Sequence, residues 1–540
     1  MKNIIITLLG CIMLWGCTAD VVNLNNPAQF DESSYFKTQQ ECEQVVAAIY
    51  STLTMKPFWA RDWYFIHDLL SGQGMSTAQL AGDGELLNME QYIYTANNQW
   101  PAFTWKGFYR MSLRGLVAID KLTTWETKNE AEAAYKEQML GEAYFFHGFA
   151  YFFLTELWGD VPYHPSWQSI KENPIKTRTP YAEVQTHIEE ALKTAIEKLP
   201  ESWPDNYLGR VTKDAARAML GKLYLTQGKN DDAIRMFESL KAHTYSPTYE
   251  ELFVTGNHTN PEVILQVLHK FWGWDQGNAY HMFDGHETWG GKATNCGRLM
   301  EYGWRDWNNM RISNTAAGLF RYTINGNAYL DPRNQFIIYG DGVMGDDSCW
   351  IADKDEDGPD KWYIGRFPYK PFIDYDPDNP ASFENSSNSG YKWKKWCLYE
   401  TVARMDVALG EYSSILIRLA DVKLMLAEAY IGKGDYTKAK ALINEVRTRP
   451  AVKADPYNDV NSSNAFDILK RERYIELFGE LHYYFDLVRW DRLGKLDMLD
   501  ELQKIKDLKG KTINPKYKKW PIPTQEKDTN PLILVLDGWN

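Results

Sequence analysis

Residues Ile415–Arg449 read ILIRLADVKLMLAEAYIGKGDYTKAKALINEVRTR, and this stretch decides the fold. Leu419, Val422, Leu426, Ala429 and Tyr430 recur at intervals of three and four, the period of one helix face. Gly432, Gly434 and Asp435 interrupt the pattern, and Ala439, Leu442, Ile443 and Val446 resume it. Two amphipathic helices joined by so short a Gly-containing turn must lie antiparallel, each burying its stripe against the other.

The finer spacing is that of a tetratricopeptide unit. Leu426-Ala427 is followed by Tyr430, then Ala439 and Ile443 on the second helix. Leu220-Gly221, Tyr224, Ala233 and Phe237 repeat those offsets upstream, with Gln227–Asn230 as the turn. A third match, Leu140-Gly141 with Tyr144, is partial, because Phe153 stands where a small partner residue is expected. The pattern predicts dispersed helical hairpins rather than one uninterrupted array. The fold class is mainly α, a tetratricopeptide-type scaffold carrying a large irregular insertion of loops and short strands.

At 540 residues the chain exceeds one ordinary core. Its formal net charge of −13 argues against nucleic acid and against an anionic membrane face as partners, since both select basic patches. The 21 Trp and 33 Tyr exceed what a core needs and point to a binding surface.

Residues 1–17 read as a targeting segment. Lys2 precedes an apolar run, Ile4 to Trp15, too short for a permanent span. It ends in Leu14-Trp15-Gly16-Cys17, which resembles a bacterial lipoprotein cleavage box and makes Cys17 the lipidated residue. The alternative is an ordinary secretion signal. Residues 18–30 form a polar tether. Cys42, Cys296, Cys349 and Cys397 are too scattered for a zinc site or a disulfide framework.

Further along, Thr38 and Glu41 form a capping box ahead of the helix through Val45, Val46, Ile49 and Leu53. The body divides into a first helical part over 31–260, an insertion over 261–410 and a second helical part over 411–540. Early loops with short helices occupy 57–100. Helices are expected over Trp105–Leu122, Ala131–Leu157, from Thr179-Pro180 to Pro200, and over Ala465–Phe478 before a Pro-rich tail. VILQVL and FIIYG read as strands, and Asn325-Gly326 as a hairpin turn.

Several segments, in order, resemble the SusD/RagB family of outer-membrane nutrient-binding lipoproteins. They are Gly141-Glu142-Ala143-Tyr144-Phe145 with Leu157-Trp158-Gly159-Asp160-Val161-Pro162, Gly209-Arg210-Val211-Thr212-Lys213, Arg418-Leu419-Ala420-Asp421, Glu472-Arg473 with Gly479-Glu480 and Phe485-Asp486-Leu487-Val488-Arg489-Trp490, and Pro521-Ile522-Pro523. The resemblance implies four tetratricopeptide units and a TonB-dependent outer-membrane transporter (SusC-like) as partner. It also implies an oligo- or polysaccharide ligand, or in some members a peptide or other nutrient.

Arg418 with Asp421, and Glu472 with Glu476 near Arg473, read as structural charge pairs rather than a catalytic carboxylate dyad. No nucleophile elbow or zinc-type histidine spacing accompanies them, so no catalytic residue is expected. A secreted glycoside hydrolase and a protein-only adaptor remain the alternatives to a glycan-binding lipoprotein.

The ligand is expected on the insertion. Phe271 to Met310 holds Trp272, Trp274, Trp289, Trp304 and Trp307, five tryptophans in forty residues against 21 in 540. They lie among Gly, Asn and Asp, where no amphipathic period would bury them. A flat indole matches the apolar C–H face of a pyranose. The expected contacts are Trp272, Trp274, Tyr280, Trp289 and Trp304, with Arg305 as a polar partner. A second wall is expected from Trp59, Asp62, Trp63, Asn97 and Trp100. Asp353, Asp355 and Asp357 begin like a calcium loop, but Ile364 replaces the closing Glu, leaving either a non-EF calcium site or a solvated acidic turn.

Overall fold

The computed structural model describes residues 35–268 except 56–57, 60–61, 77–83, 242 and 254–257; residues 310–339; and 413–539 except 507, 509 and 535–537. Elsewhere it describes Glu287–Trp289, Lys292–Thr294, Tyr302, Cys349–Lys354, Trp362–Phe367, Lys392–Trp393, Lys395 and Trp396. The first helices are α1 (Gln39–Tyr50), α2 (Asp62–Ser71), α3 (Gly84–Glu90), α4 (Gln99–Thr124), α5 (Glu130–Trp158) and α6 (Tyr181–Lys198). Then come α7 (Lys213–Thr226), α8 (Asn230–Glu238), α9 (Leu419–Gly432), α10 (Tyr436–Thr448), α11 (Ala465–Glu476), α12 (Tyr483–Arg492) and α13 (Met498–Ile505). The chain is mainly helical, and the expected Thr38–Glu41 capping box closes the start of α1 from both sides.

The two hairpins α7–α8 and α9–α10 share one turn. In the first, Lys229 N–H donates to the Tyr224 carbonyl (2.9 Å) and Gly228 N–H to Leu225 (3.1 Å). In the second, Asp435 N–H donates to Tyr430 (2.9 Å) and Gly434 N–H to Ile431 (2.9 Å). Gly228 and Gly434 stand at φ +72° and +77°, the left-handed conformation this C-cap demands and side chains resist. Ala233 and Phe237, and Ala439 and Ile443, are buried as the repeat requires. A Cβ at Gly221 would meet the Phe237 ring at 2.5 Å, so the small residue is what lets the paired helices close.

Four readings need correction. The hairpins are far apart in sequence but adjacent in space, since α8 packs directly on α9. Lys433 pairs with Asp231 (2.9 Å), and Asn230 lies where a Gly432 side chain would go. The array is thus continuous: α4 lies on α5, α5 on α6, α6 on α7, and α9 on α11. Second, Phe153 is no partner-helix residue for Gly141, because both lie on the single 29-residue α5. The partner is α6: a Cβ at Gly141 would stand 2.9 Å from Leu199 Cγ and 3.0 Å from the Leu199 backbone nitrogen. Third, Ser414–Arg418, at the head of the stretch that decides the fold, is a β-strand, and the helix starts at Leu419. Fourth, α12 and α13 stand where only a Pro-rich tail was read. α12 is almost wholly buried, through Tyr483 to Trp490, its charged members Asp486 and Arg489 included.

The strands that tie to the scaffold or fix the insertion are β1 (Gly74–Ser76), β2 (Val263–Val267), β3 (Met310–Ile312), β4 (Arg321–Ile324), β5 (Asn327–Leu330), β6 (Ile338–Tyr339), β7 (Lys392–Trp393) and β8 (Ser414–Arg418); two further hairpins pair Glu287–Trp289 with Lys292–Thr294 and Cys349–Lys354 with Trp362–Phe367. β2 and β8 pair antiparallel, so the insertion leaves and rejoins the scaffold at one zipped base. β4 and β5 form the hairpin expected at Asn325-Gly326. Its tip is fastened by Asn325, which donates to the Pro456 carbonyl (3.1 Å) and accepts from Asn458 N–H (3.2 Å).

The close approach of α5 and α6 makes a signed prediction. Replacing a helical Gly by Ala ordinarily stabilises by about 0.5–1 kcal/mol. At Gly141 the added methyl has no room, so Gly141→Ala is expected to lower the thermal midpoint. A midpoint unchanged or raised in calorimetry would contradict this packing.

Candidate functional site

The two segments expected to carry the ligand meet at a short sheet. β1, from the early region, pairs antiparallel with β3, from the insertion, in the register Gly74–Ile312, Met75–Arg311 and Ser76–Met310. Ser76, the last residue of β1, and Met310, the first of β3, are therefore direct partners. Tyr302 fixes the insertion a few residues earlier. Its ring lies 5.6 Å from Tyr64 and 6.1 Å from Phe65 on α2, and its hydroxyl donates to the Asp68 carboxylate. Trp393 on β7 packs edge-on against Tyr302 at 4.9 Å. Ser76 is held by the Glu90 carboxylate on α3. The early region and the insertion thus share one rigid base.

A buried ionic lattice holds that base to the helices. Arg418, where β8 becomes α9, uses all five N–H groups: Nε and Nη2 on Glu480 (2.7 and 2.8 Å), Nη1 on Glu262 (2.8 Å) and Glu476 (2.7 Å), and Nη2 on the Glu476 carbonyl (2.8 Å). Arg333 of the insertion grips Asp331 (2.7 and 2.8 Å) and reaches Glu472 (2.9 Å) and Glu476 (3.1 Å). Lys395 of the insertion donates to Tyr249 Oη (3.2 Å) and the Phe478 carbonyl (3.0 Å) and pairs with Glu480. Arg447 and Arg449 complete the charge balance on Glu472 and Glu476.

The structural reading of these residues stands, with different partners. Arg418 does not pair with Asp421, which instead meets Arg473 (2.9 Å). Burial alone would push the Glu476 carboxyl up, but Arg449, Arg418 and Arg333 outweigh it and hold the group well below the usual range. Burial opposes, and Arg418 and Lys395 prevail, at Glu480, which is held down to about 2. Glu472 and Glu476 are both fully enclosed and paired with arginines, so their part is structural charge pairing.

Of the expected second wall, three rings belong to the core. Trp63 is 1% exposed, wedged among Phe108 (5.1 Å), Phe153 (5.4 Å) and His67 (4.2 Å). Trp59 and Trp100 are likewise buried. The expectation that these rings face a ligand is corrected: α2 is enclosed on every side, each residue from Trp63 to Ser71 being buried. Asn97 is exposed and accepts from Thr524 Oγ1 (2.6 Å), while Asp62 opens α2. Trp289 lies on a hairpin strand, its backbone paired with Lys292. Trp272, Trp274, Tyr280, Trp304, Arg305 and Cys17 lie outside the described residues.

The Asp353 backbone sits on the strand Cys349–Lys354, while Asp355 and Asp357 lie outside the described residues. Among the described residues no three His, Cys, Asp or Glu side chains gather to hold a metal. Residues the sequence reading passed over are the insertion's anchors, Tyr302, Asp331, Arg333 and Lys395. Lys395 had a weak signal: it is one of two lysines, Lys394 and Lys395, between Trp393 and Trp396.

Comparison with known proteins agrees with this architecture. Residues 274–539 match the SusD family, and residues 28–225 match a SusD-like family described as starch-binding associating with outer membrane. A SusD-like protein, P25, of Formosa agariphila is 22% identical over 100% of this chain and 99% of its own length. A SusD superfamily protein of Bacteroides vulgatus superposes with a TM-score of 0.70 at 20% identity, covering 94% of this chain and 100% of its own. A SusD-like carbohydrate binding protein of Bacteroides fragilis gives a TM-score of 0.70 at 18% identity, covering 92% and 99%.

Buried histidines set an acid limit on the scaffold. Burial lowers His67 to about 3 and His147 to about 4; His482 also falls to about 4, burial outweighing the pull of Asp421. The unfolded chain takes up these protons near pH 6.5 and the folded chain does not, so stability falls as pH drops from about 6.5 towards 4. Glu480 and Glu476, depressed in the fold, add a further loss below about pH 4.5. Thermal midpoints across pH 4–8 are expected to show this slope, and His67→Phe to flatten it between pH 6.5 and 4. An unaltered slope in that variant would contradict a neutral His67.

Proposed function

Because the chain belongs to the SusD family, we propose that it captures an oligosaccharide or polysaccharide at the cell surface and hands it to a TonB-dependent outer-membrane transporter. The observation that carries this reading is the β1–β3 pairing, which starts the early loop and the tryptophan-rich insertion from one rigid edge. Trp272, Trp274, Trp289 and Trp304, with Tyr280, stack on sugar rings, and Arg305 donates to hydroxyls. The solved Bacteroides fragilis relative, itself a carbohydrate binding protein, supports the ligand class.

The protein binds and does not cleave. The carboxylates nearest a catalytic spacing, Glu472 and Glu476, are sealed in the ionic lattice. Cys17 carries the lipid and residues 18–30 form the tether to the outer membrane, the location given in the description of the family matched by residues 28–225. No helix among the described residues is long and apolar enough to cross a membrane.

A panel of polysaccharides run in affinity gels tests the reading. The purified protein is expected to be retarded by at least one and to release no shorter sugars from it. Stacking on an aromatic ring is worth about 1–3 kcal/mol for nucleobases, and somewhat less for a sugar. Trp272→Ala and Trp289→Ala are each expected to weaken retardation roughly fivefold or more. Undiminished retardation of both variants would reject this site, and cleavage products would reject the binding role.

A further inference from the structure

A cavity opens on the helical scaffold between α4 and the C-terminal segment. It has a volume of about 410 Å³, within the usual range of small-molecule sites. Its walls come from three parts of the chain: the first turns of α4, the 162–174 segment, and the short helix Thr524–Thr529 with its flanks.

The walls are held at many points. Tyr109 Oη donates to the Pro162 carbonyl (2.8 Å), and its ring stands 4.8 Å from the buried Trp105 indole. Trp105 Nε1 donates to Glu526 Oε2 (3.2 Å). Asn530 Nδ2 donates to the Lys176 carbonyl (2.8 Å), tying the C-terminal wall to the 174 segment. Thr524 N–H donates to the Ala96 carbonyl (3.2 Å).

One group in this wall is unspent. His164 is 92% buried and lines the cavity; its Nδ1 is unpaired but enclosed, so a ligand can meet this ring only through Nε2. Burial also lowers His164 to about 4, so the ring is neutral and serves as one donor and one acceptor. Glu526 is part-buried, and one of its oxygens already receives the Trp105 N–H. Burial raises its carboxyl, with the Trp105 bond pulling the other way. The lining also includes Tyr109, the rings of Pro162, Pro174 and Pro523, the amide side chains of Gln525 and Asn530, and Lys106, whose charge is opposite to that of Glu526.

A neutral donor–acceptor imidazole, one carboxylate and flat apolar rings suit an uncharged polyhydroxylated ring, with apolar C–H faces and hydroxyls at its edge. We propose that this cavity is a second saccharide site, in which His164 and Glu526 bind hydroxyls of a terminal mono- or disaccharide unit against Tyr109. The proposal rests on the glycan-binding reading above but uses none of the residues assigned there. A weak second site would hold a second point of a long chain and add avidity without strengthening the main site.

Isothermal titration of the full chain with short malto-, cello- and laminari-oligosaccharides tests it, using wild type and a chain carrying both Trp272→Ala and Trp289→Ala. The doubly substituted chain is expected to retain a weaker saccharide site. Adding Thr529→Trp, an exposed position on the cavity rim, is expected to abolish that residual binding, and adding Glu526→Gln to weaken it roughly fivefold. Circular dichroism and thermal midpoints matching the parent establish that both additions fold. Binding by wild type but none by the doubly substituted chain overturns the second site and leaves the main one standing. Residual binding indifferent to both additions also overturns it. Failure of wild type to bind any sugar in titration or affinity gels overturns both proposals.

Discussion

The fold depends on Arg418 and the carboxylates around it. Glu262, Glu476 and Glu480 converge on one guanidinium that is wholly removed from water. Taking such charges inside is expensive, and the arrangement survives because every Arg418 donor finds an acceptor and the signs balance. Removing one member would strand the others, which is why the lattice behaves as a unit. Its strategic value lies in where its members come from. Arg418 begins the helix that carries the repeat, Glu476 and Glu480 border the end of α11, and Arg333 and Lys395 arrive from the insertion. The same contacts that stabilise the core therefore orient the excursion that departs from it.

This explains how a long irregular segment can serve a binding protein. A loop free at its root would lose much of its affinity to ordering. Here the root is zipped by β2 and β8, pinned to α2 through Tyr302, and tied to the core through Arg333 and Lys395. Each fastening uses a different chemistry: backbone pairing, aromatic packing with one hydrogen bond, and buried charge. The helical array supplies the rigidity, because consecutive helices bury their stripes against one another from α4 to α11 without a break in space. Aromatic residues accordingly divide into two populations. Those at helical spacing, such as Trp63, Phe108 and Phe153, fill the core. Those on the insertion lack such spacing, and the glycan reading rests on them.

Much of this architecture was legible in the residues alone. The two hairpins, the capping box at Thr38, the buried α5 and the Asn325-Gly326 turn follow from local rules of periodicity, capping and backbone conformation, which act over a few residues and need no knowledge of neighbours. The structural rather than catalytic character of Glu472 and Glu476 was also readable, because arginines crowd the same segments. The site was less legible. Trp59, Trp63 and Trp100 drew attention as aromatics near polar residues, but indole is as good a core filler as a binding platform, and composition does not separate the two uses.

The sequence by itself determined the local conformations: which segments coil into helices, where they stop, and that two distant hairpins are built alike. Those are short-range matters, set by steric preference and the alternation of apolar and polar side chains. Only the tertiary structure decided that the hairpins are neighbours across 180 intervening residues, that Gly141 accommodates α6, and that Arg418 answers Glu476 and Glu480 rather than Asp421. Pairings between residues far apart depend on how burial and charge are balanced over the whole molecule, and no local pattern encodes them.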